Sequence, residues 1–148
     1  MGMQNLNAAM VLVSLVLATA CGASDAKSGQ HAAPKNFTEQ VTLGGELYGE
    51  YCSSCHGKGG EGTPDAPAVV GATALSLDPP SGAKVRKTQF VTVADVANFV
   101  VHNMPGDAPG SLSEEEYFAI LAFDLHANGI DLEKKLDGAL AASLTIPR

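Results

Sequence analysis

The sequence predicts an all-α domain of three or more helices joined by irregular loops, and three observations support this fold class. Apolar residues recur at helical spacing in several segments. Two of these segments, near Thr92 and Ser113, open with motifs that cap the free N–H groups of a helix start. The stretch 57–80 is dense in Gly, Pro, Ala and Thr, which predicts an irregular wrap and not repeated strands. A chain of 148 residues fits a single such domain.

Residues 1–20 are predicted to be a signal peptide. The apolar run Met10–Ala20 is shorter than the ~20 residues of a membrane-spanning helix, and it closes with small residues typical of a cleavage site. Cys21 follows the motif Leu-Ala-Thr-Ala at 17–20, which resembles a bacterial lipobox. This resemblance implies that Cys21 is acylated, giving a periplasm-facing lipoprotein held to a membrane by its acyl chains. Cleavage by ordinary signal peptidase, which would leave a soluble periplasmic protein, is the alternative.

Residues 21–41 are expected to form the lipidated cysteine and a flexible tether. Residues 22–41 are rich in Gly, Ala, Ser, Lys and Gln, and so bury too little apolar surface to become ordered. A coil of about 20 residues has an end-to-end distance on the order of 25 Å, which would lift a small domain clear of the lipid headgroups. The domain itself is expected to occupy residues 42–130.

The first helix is predicted over Leu43–Ser54, where apolar and aromatic residues recur at helical spacing. The second begins at Thr92, whose capping box uses Asp95 in place of the usual Glu. It ends before Pro105, because the residue before a proline disfavours helical backbone.

The third helix begins at Ser113, where Glu116 completes a capping box. It ends at Asn128-Gly129, a pair suited to a left-handed stop. Residues 131–148 are expected to form a C-terminal extension, in which leucines at every fourth position suggest a short amphipathic helix.

The segment Cys52–His56, Cys-Ser-Ser-Cys-His, is the motif that carries chemistry. Two thiols separated by two residues are suited to add to the two vinyl groups on one edge of a haem, and the adjacent imidazole is then placed to ligate the iron. A zinc site of this type needs a second cysteine pair, and no cysteine follows Cys55. A haem-free redox dithiol is the remaining alternative, although it usually accompanies alternating strands and helices. The 5% aromatic content, without Trp, also leaves room for a large apolar cofactor in the core.

Three segments resemble the class I c-type cytochromes, the cytochrome c-like family: Gly45–Tyr48, Tyr51–Gly57 and Asn103–Gly106. The resemblance covers about Leu43 to Ile130. It implies helices wrapped around one covalently attached haem c, with the three segments as N-terminal helix, haem attachment site and axial methionine loop.

Cys52 and Cys55 are therefore the candidate covalent haem attachments, and His56 and Met104 are the candidate axial ligands of the iron. The other methionines all lie in the predicted leader, so a thioether ligand from the mature chain has to be Met104. The rival ligands are two histidines, His102 and His126, which would give a bis-histidine haem of lower potential.

The resemblance extends to residues around the ligands. Pro67 resembles the family's proline whose neighbouring carbonyl accepts a hydrogen bond from the ligand histidine. Gly45 and Phe123 resemble the crossing of the first and last helices, where a missing side chain admits an aromatic ring. A basic cluster could pair with haem propionates, dock an acidic partner or simply be solvated; it comprises Lys84, Arg86 and Lys87.

The net charge of −7 argues against a nucleic-acid partner, whose phosphates require a basic face. With both axial positions filled by protein, the expected function is one-electron transfer in a bacterial respiratory or periplasmic redox chain, not catalysis. The alternatives are a fixed haem c subunit of a dehydrogenase or terminal oxidase, and a haem peroxidase or gas sensor if Met104 is not a ligand. Redox partner proteins, a donor and an acceptor, are implied in the first two cases.

Overall fold

The computed structural model describes residues 31–147, and it confirms an all-α fold. The helices are α1 (Phe37–Tyr51), α2 (Ser53–His56), α3 (Val93–Asn103), α4 (Glu114–Ala127) and α5 (Gly138–Ser143). Within these residues the β-type pairing is an isolated antiparallel bridge between Thr92 and Thr145. No helix in this part of the chain has the length and apolar character needed to cross a bilayer. The predicted signal peptide and Cys21 lie outside the described residues.

The first helix begins earlier than the sequence predicted. Asn36 caps α1, its side-chain oxygen accepting the Glu39 N–H at 2.9 Å, and Phe37 is buried. Residues 37–41 are therefore helical, which corrects both the expected end of the tether at 41 and the domain start at 42. Gln40 is fully buried and exchanges two 2.8 Å hydrogen bonds with the backbone N–H and carbonyl of Leu136. This paired amide explains why a polar residue belongs to the core.

Both predicted capping boxes are present. The Thr92 hydroxyl accepts the Asp95 N–H at 3.3 Å, and the Asp95 carboxylate accepts the Thr92 N–H at 2.7 Å. Ser113 and Glu116 make the equivalent pair at 3.4 and 2.8 Å. Gly129, with φ of 79°, follows the end of α4 as the left-handed residue that the sequence predicted. Local capping thus sets the ends of α3 and α4 as expected.

The α1–α4 crossing depends on two adjacent glycines. A Cβ at Gly45 would lie 3.3 Å from the Phe123 ring, so the predicted contact of these two residues is confirmed. Gly44 is the tighter position, because a Cβ there would lie 1.9 Å from the carbonyl oxygen of Ala119. The first helix therefore approaches the backbone of α4 through Gly44, which the sequence analysis did not single out.

Two groups of buried side chains fill the domain. The α1–α4 core lies between those two helices and comprises Leu43, Leu47, Tyr48, Ala119 and Ile120. The C-terminal core joins residues from α1, α3, α4 and α5 with residues from the segments before α3, between α4 and α5, and after α5. Its members are Phe37, Phe90, Val93, Val96, Leu121, Ala122, Leu125, Leu136, Ala141 and Ile146.

The expected C-terminal extension, 131–148, contributes to the C-terminal core. Its helix is limited to Gly138–Ser143 and is capped by Asp137, whose side chain accepts the Leu140 N–H at 2.8 Å. The regular leucine spacing therefore does not correspond to one continuous helix. Leu136, before α5, is fully buried, so this segment is part of the domain's packing.

Candidate cofactor site

The Cys-Ser-Ser-Cys-His motif forms a single helical turn. Cys52 ends α1 and begins α2, and its carbonyl accepts the N–H groups of Cys55 at 3.2 Å and His56 at 2.9 Å. Both thiols are free; Cys52 is half-buried, Cys55 is exposed and His56 is buried. The two sulfurs and the imidazole thus come from one compact turn. The predicted first helix, which ran to Ser54, is here divided into α1 and α2.

The His56 ring is oriented by the loop that follows it. Its Nδ1 lies 2.7 Å from the carbonyl oxygen of Pro67, and because a carbonyl only accepts, Nδ1–H is the donor. This contact confirms the one expected near Pro67. Gly62, with φ of 85°, lets the loop fold back, and a Cβ there would lie 2.6 Å from the Ala68 nitrogen. The remaining ring nitrogen, Nε2, is left with its lone pair for a metal.

A mainly apolar cleft of about 390 Å³ brings the candidate residues together. Cys52, Cys55, His56 and Met104 all line it. Its remaining lining residues are Tyr48, Glu50, Tyr51, Ser54, Val69, Val100, Pro105, Gly106, Asp107, Ile120 and Asp124. The volume is typical of a cofactor or ligand pocket, which spans roughly 300–1,000 Å³.

Met104 is held at the cleft by two helices. It closes α3, where its N–H donates to the Val100 carbonyl at 2.8 Å. Its own carbonyl accepts the Tyr117 hydroxyl of α4 at 2.7 Å, and Pro105 after it is buried. The backbone of Met104 is therefore held by hydrogen bonds to both α3 and α4.

The rival histidines do not line the cleft. His102 is exposed, with its Nδ1 2.7 Å from the Asn98 carbonyl one turn earlier on α3. His126 is exposed at the end of α4, with its Nδ1 2.5 Å from an Asp131 carboxylate oxygen. Neither position supports the bis-histidine alternative.

The basic residues Lys84, Arg86 and Lys87 do not line the cleft. Arg86 is buried, its Nη2 donates to the carbonyls of Ser76 and Leu77 at 2.6 and 2.5 Å, and its guanidinium lies 3.4 Å above the Phe90 ring. Lys87 donates to the Ala83 carbonyl at 2.7 Å. Arg86 therefore stabilises its own loop. This corrects the sequence-based expectation that Arg86 would pair with a haem propionate, dock an acidic partner or be solvated.

Burial governs the ionisation of two side chains in the cleft. It raises the pKa of the Cys52 thiol to about 12, with smaller contributions from the charges of Asp124 and Cys55. It also raises the pKa of Tyr48 to about 12, and the Tyr48 hydroxyl donates to the Gly57 carbonyl at 2.7 Å. Since a thiolate is the nucleophile in dithiol–disulfide exchange, burial makes Cys52 poorly suited to act as that nucleophile.

Asp124 is a cleft residue that the sequence analysis missed. Its Oδ1 is buried without a hydrogen-bond partner, and burial raises the pKa of this carboxyl to about 7. The sequence feature that could have identified Asp124 is its position. It continues the apolar stripe of Tyr117, Ile120 and Leu121 on α4 at helical spacing. A carboxyl in an apolar stripe is a candidate functional group.

Comparison with known proteins identifies similar chains. Residues 39–123 match the family model described as cytochrome c oxidase, cbb3-type, subunit III. The chain is also similar to a chain in the crystal structure of the sulfane dehydrogenase SoxCD from Paracoccus pantotrophus, with 26% identity and a TM-score of 0.53. That similarity covers 72% of this chain and 53% of the other, so this protein spans about half the length of the SoxCD chain. No curated protein matches the sequence.

Proposed function

We propose that this chain, which belongs to the family described as cytochrome c oxidase, cbb3-type, subunit III, is an electron carrier whose single covalent haem c has His56 and Met104 as axial ligands. Membership of a class I c-type cytochrome domain implies haem-based electron transfer. The finer assignment is supported by one observation: the thiols of Cys52 and Cys55, the His56 ring and Met104 line the same cleft.

The residues present fit this cofactor. Cys52 and Cys55 would hold it through thioether bonds. The bond at Cys52 would also replace a buried thiol whose pKa is raised by burial. His56 would bind iron through Nε2, since the Pro67 carbonyl occupies Nδ1–H. The haem supplies a one-electron change at iron, and the soft thioether of Met104 favours the ferrous state and hence a relatively high potential. With His56 and Met104 both holding the iron, no coordination position would be left for a substrate.

A second candidate is a fixed haem c subunit of a larger dehydrogenase or oxidase. It is favoured by both comparisons, because the matched family is described as an oxidase subunit and the similar chain belongs to a sulfane dehydrogenase. Gentle purification of the native protein separates the two proposals. A shuttle elutes as a single chain, whereas a fixed subunit elutes with its enzyme partners in constant ratio.

We also propose that the protein faces the periplasm and is anchored through an acylated Cys21. The apolar leader and the lipobox-like segment at 17–20 support this. Replacing Cys21 with Ser should move the holoprotein from the membrane fraction to the soluble fraction. Wild-type protein without added acyl mass would contradict the anchor and support the soluble alternative.

Met104→Ala tests the ligand assignment. The variant should keep its haem, lose the sulfur-to-iron charge-transfer band of the ferric form, and bind carbon monoxide when reduced, because the sixth position is open. His102→Ala is the matched control: it alters an exposed neighbour and should leave the spectrum unchanged. An unchanged Met104→Ala spectrum without carbon monoxide binding would refute this ligation, and carbon monoxide binding by the wild type would favour a gas sensor or peroxidase.

A further inference from the structure

Asp124 is the buried ionisable group of the cleft that the proposed function does not use. It lies on α4, where its backbone carbonyl accepts hydrogen bonds from the Asn128 N–H at 3.1 Å and side-chain amide at 2.7 Å. The residue as a whole is part-exposed, but its Oδ1 is buried, has no hydrogen-bond partner and belongs to a side chain that lines the cleft. A buried oxygen without a partner is costly and therefore calls for an explanation.

The groups around Asp124 leave its carboxyl without a compensating cation. From α1, Tyr48 and Cys52 face it, and the negative charge of Asp124 adds to the raised pKa of both. Further titratable residues line the same cleft: Glu50 and Tyr51 of α1, Cys55 and His56 of the α2 turn, and Asp107 of the methionine loop. The α3 residue of the lining is the apolar Val100, and no Lys or Arg of residues 31–147 is among the lining residues.

We propose that Asp124 is a redox-linked proton-binding group: it holds a proton while the bound haem is ferrous and releases it to water when the haem is oxidised. The inference rests on the proposed function. When a bound haem lost one electron to a redox partner protein, the Asp124 carboxyl would give one proton to solvent by breaking its O–H bond. Charge explains the coupling, because oxidation adds one positive charge to the haem and a nearby carboxylate stabilises it.

The ionisation range of Asp124 fits this role. Burial raises its pKa to about 7, so both protonation states are accessible near neutral pH. Tyr48 and a thioether-bonded Cys52 do not titrate there, since burial raises the pKa of Tyr48 to about 12 and a thioether carries no proton. Within the lining, Asp124 is therefore the buried group suited to exchange a proton with the redox change.

The measurable consequence is a midpoint potential that falls as pH rises through neutrality. The limiting slope is about 59 mV for each tenfold change in proton activity, the value for one proton per electron. The slope should flatten on either side, where Asp124 keeps the same protonation state in both oxidation states.

Redox titration of the full holoprotein between about pH 5 and pH 9 tests the proposal. Asp124→Asn keeps the shape of the side chain but removes its proton equilibrium, so its potential should be independent of pH through neutrality. Asp107→Asn is the control, because Asp107 is an exposed acid in the same lining. It should retain the wild-type slope. A slope that persists in Asp124→Asn, or one abolished equally by Asp107→Asn, overturns the proposal.

A measurement on the wild type keeps the proposal testable if Asp124→Asn does not fold. Redox-difference infrared spectroscopy should show a protonated-carboxyl band lost on oxidation near pH 7, and an indicator dye should record proton release. Absence of both signals overturns the role of Asp124 but leaves electron transfer intact. Absence of covalent haem in the same sample would instead overturn the proposed function.

Discussion

The α1–α4 core and the C-terminal core differ in whether their buried residues line the cleft. Tyr48 and Ile120 of the α1–α4 core also line the cleft, so this core ends at the place where a cofactor would lie. None of the buried members of the C-terminal core lines the cleft. The α1–α4 core therefore borders the cleft through its buried members, whereas the C-terminal core reaches it only through Val100, a partly buried residue packed against it.

Two buried polar side chains, one in each region, differ in whether they have hydrogen-bond partners. Gln40, which connects α1 to the C-terminal segment, has both ends of its amide paired with Leu136. Asp124, at the cleft, has an unpartnered buried oxygen. Satisfied polar groups add rigidity, so Gln40 has a structural role. Unsatisfied ones cost stability, so Asp124 is the candidate for a functional role.

The largest effect is expected at the helix crossing that supports the cleft. In Gly44→Val the new Cβ would overlap the Ala119 carbonyl, so we expect a loss of at least about 3 kcal/mol. Melting of the holoprotein should show a drop of more than about 10 °C. Gly49→Ala is the control, because nothing lies within 4 Å of its Cβ, and it should leave stability equal or higher by up to about 1 kcal/mol. Equal melting temperatures for both variants would contradict the crossing.

A pair of leucine truncations compares the two cores directly. Leu47→Ala and Leu136→Ala each remove a side chain that is almost completely buried, and each should cost about 2–5 kcal/mol. Only Leu47→Ala should also change the haem absorption spectrum, because its core borders the cleft. Denaturant unfolding and spectra of the same samples measure both effects. A spectrum disturbed equally by Leu136→Ala would remove the distinction.

A further effect on stability, which depends on pH, is expected from Asp124. The pKa of its carboxyl is raised from 3.8 to about 7 in the folded chain, so the folded state holds a proton that the unfolded state releases. Its contribution to stability is therefore complete below about pH 4 and is lost as pH rises through about 7, at about 1.4 kcal/mol per pKa unit. Compared with wild-type ferrous holoprotein, Asp124→Asn should gain relative stability from pH 4 to pH 8 in denaturant titrations. A constant difference would show that this carboxyl is not buried in the folded protein.

The sequence predicted those features that depend on local chemistry. The capping boxes at Thr92 and Ser113 were predictable because each satisfies backbone groups within one turn. The Cys-Ser-Ser-Cys-His turn was predictable because its spacing defines its chemistry. These features cover α3, α4 and the turn that carries Cys52, Cys55 and His56.

Features that depend on distant partners escaped prediction. The start of α1 was hidden because Gln40 is polar and its partner, Leu136, lies 96 residues away. The role of Arg86 could not be chosen from the sequence, because its carbonyl partners, Ser76 and Leu77, meet it only in the folded loop. Asp124 went unrecognised because its burial depends on the packing of α4 against α1.

The covalent attachment of one haem is the central claim, and intact mass spectrometry of protein matured in a bacterial periplasm tests it most directly. The mature chain should carry the mass of one haem, show a pyridine haemochrome spectrum typical of two thioether bonds, and leave Cys52 and Cys55 unreactive to alkylating reagents. A correctly exported chain without added haem mass, whose two thiols are both alkylated, would contradict the account.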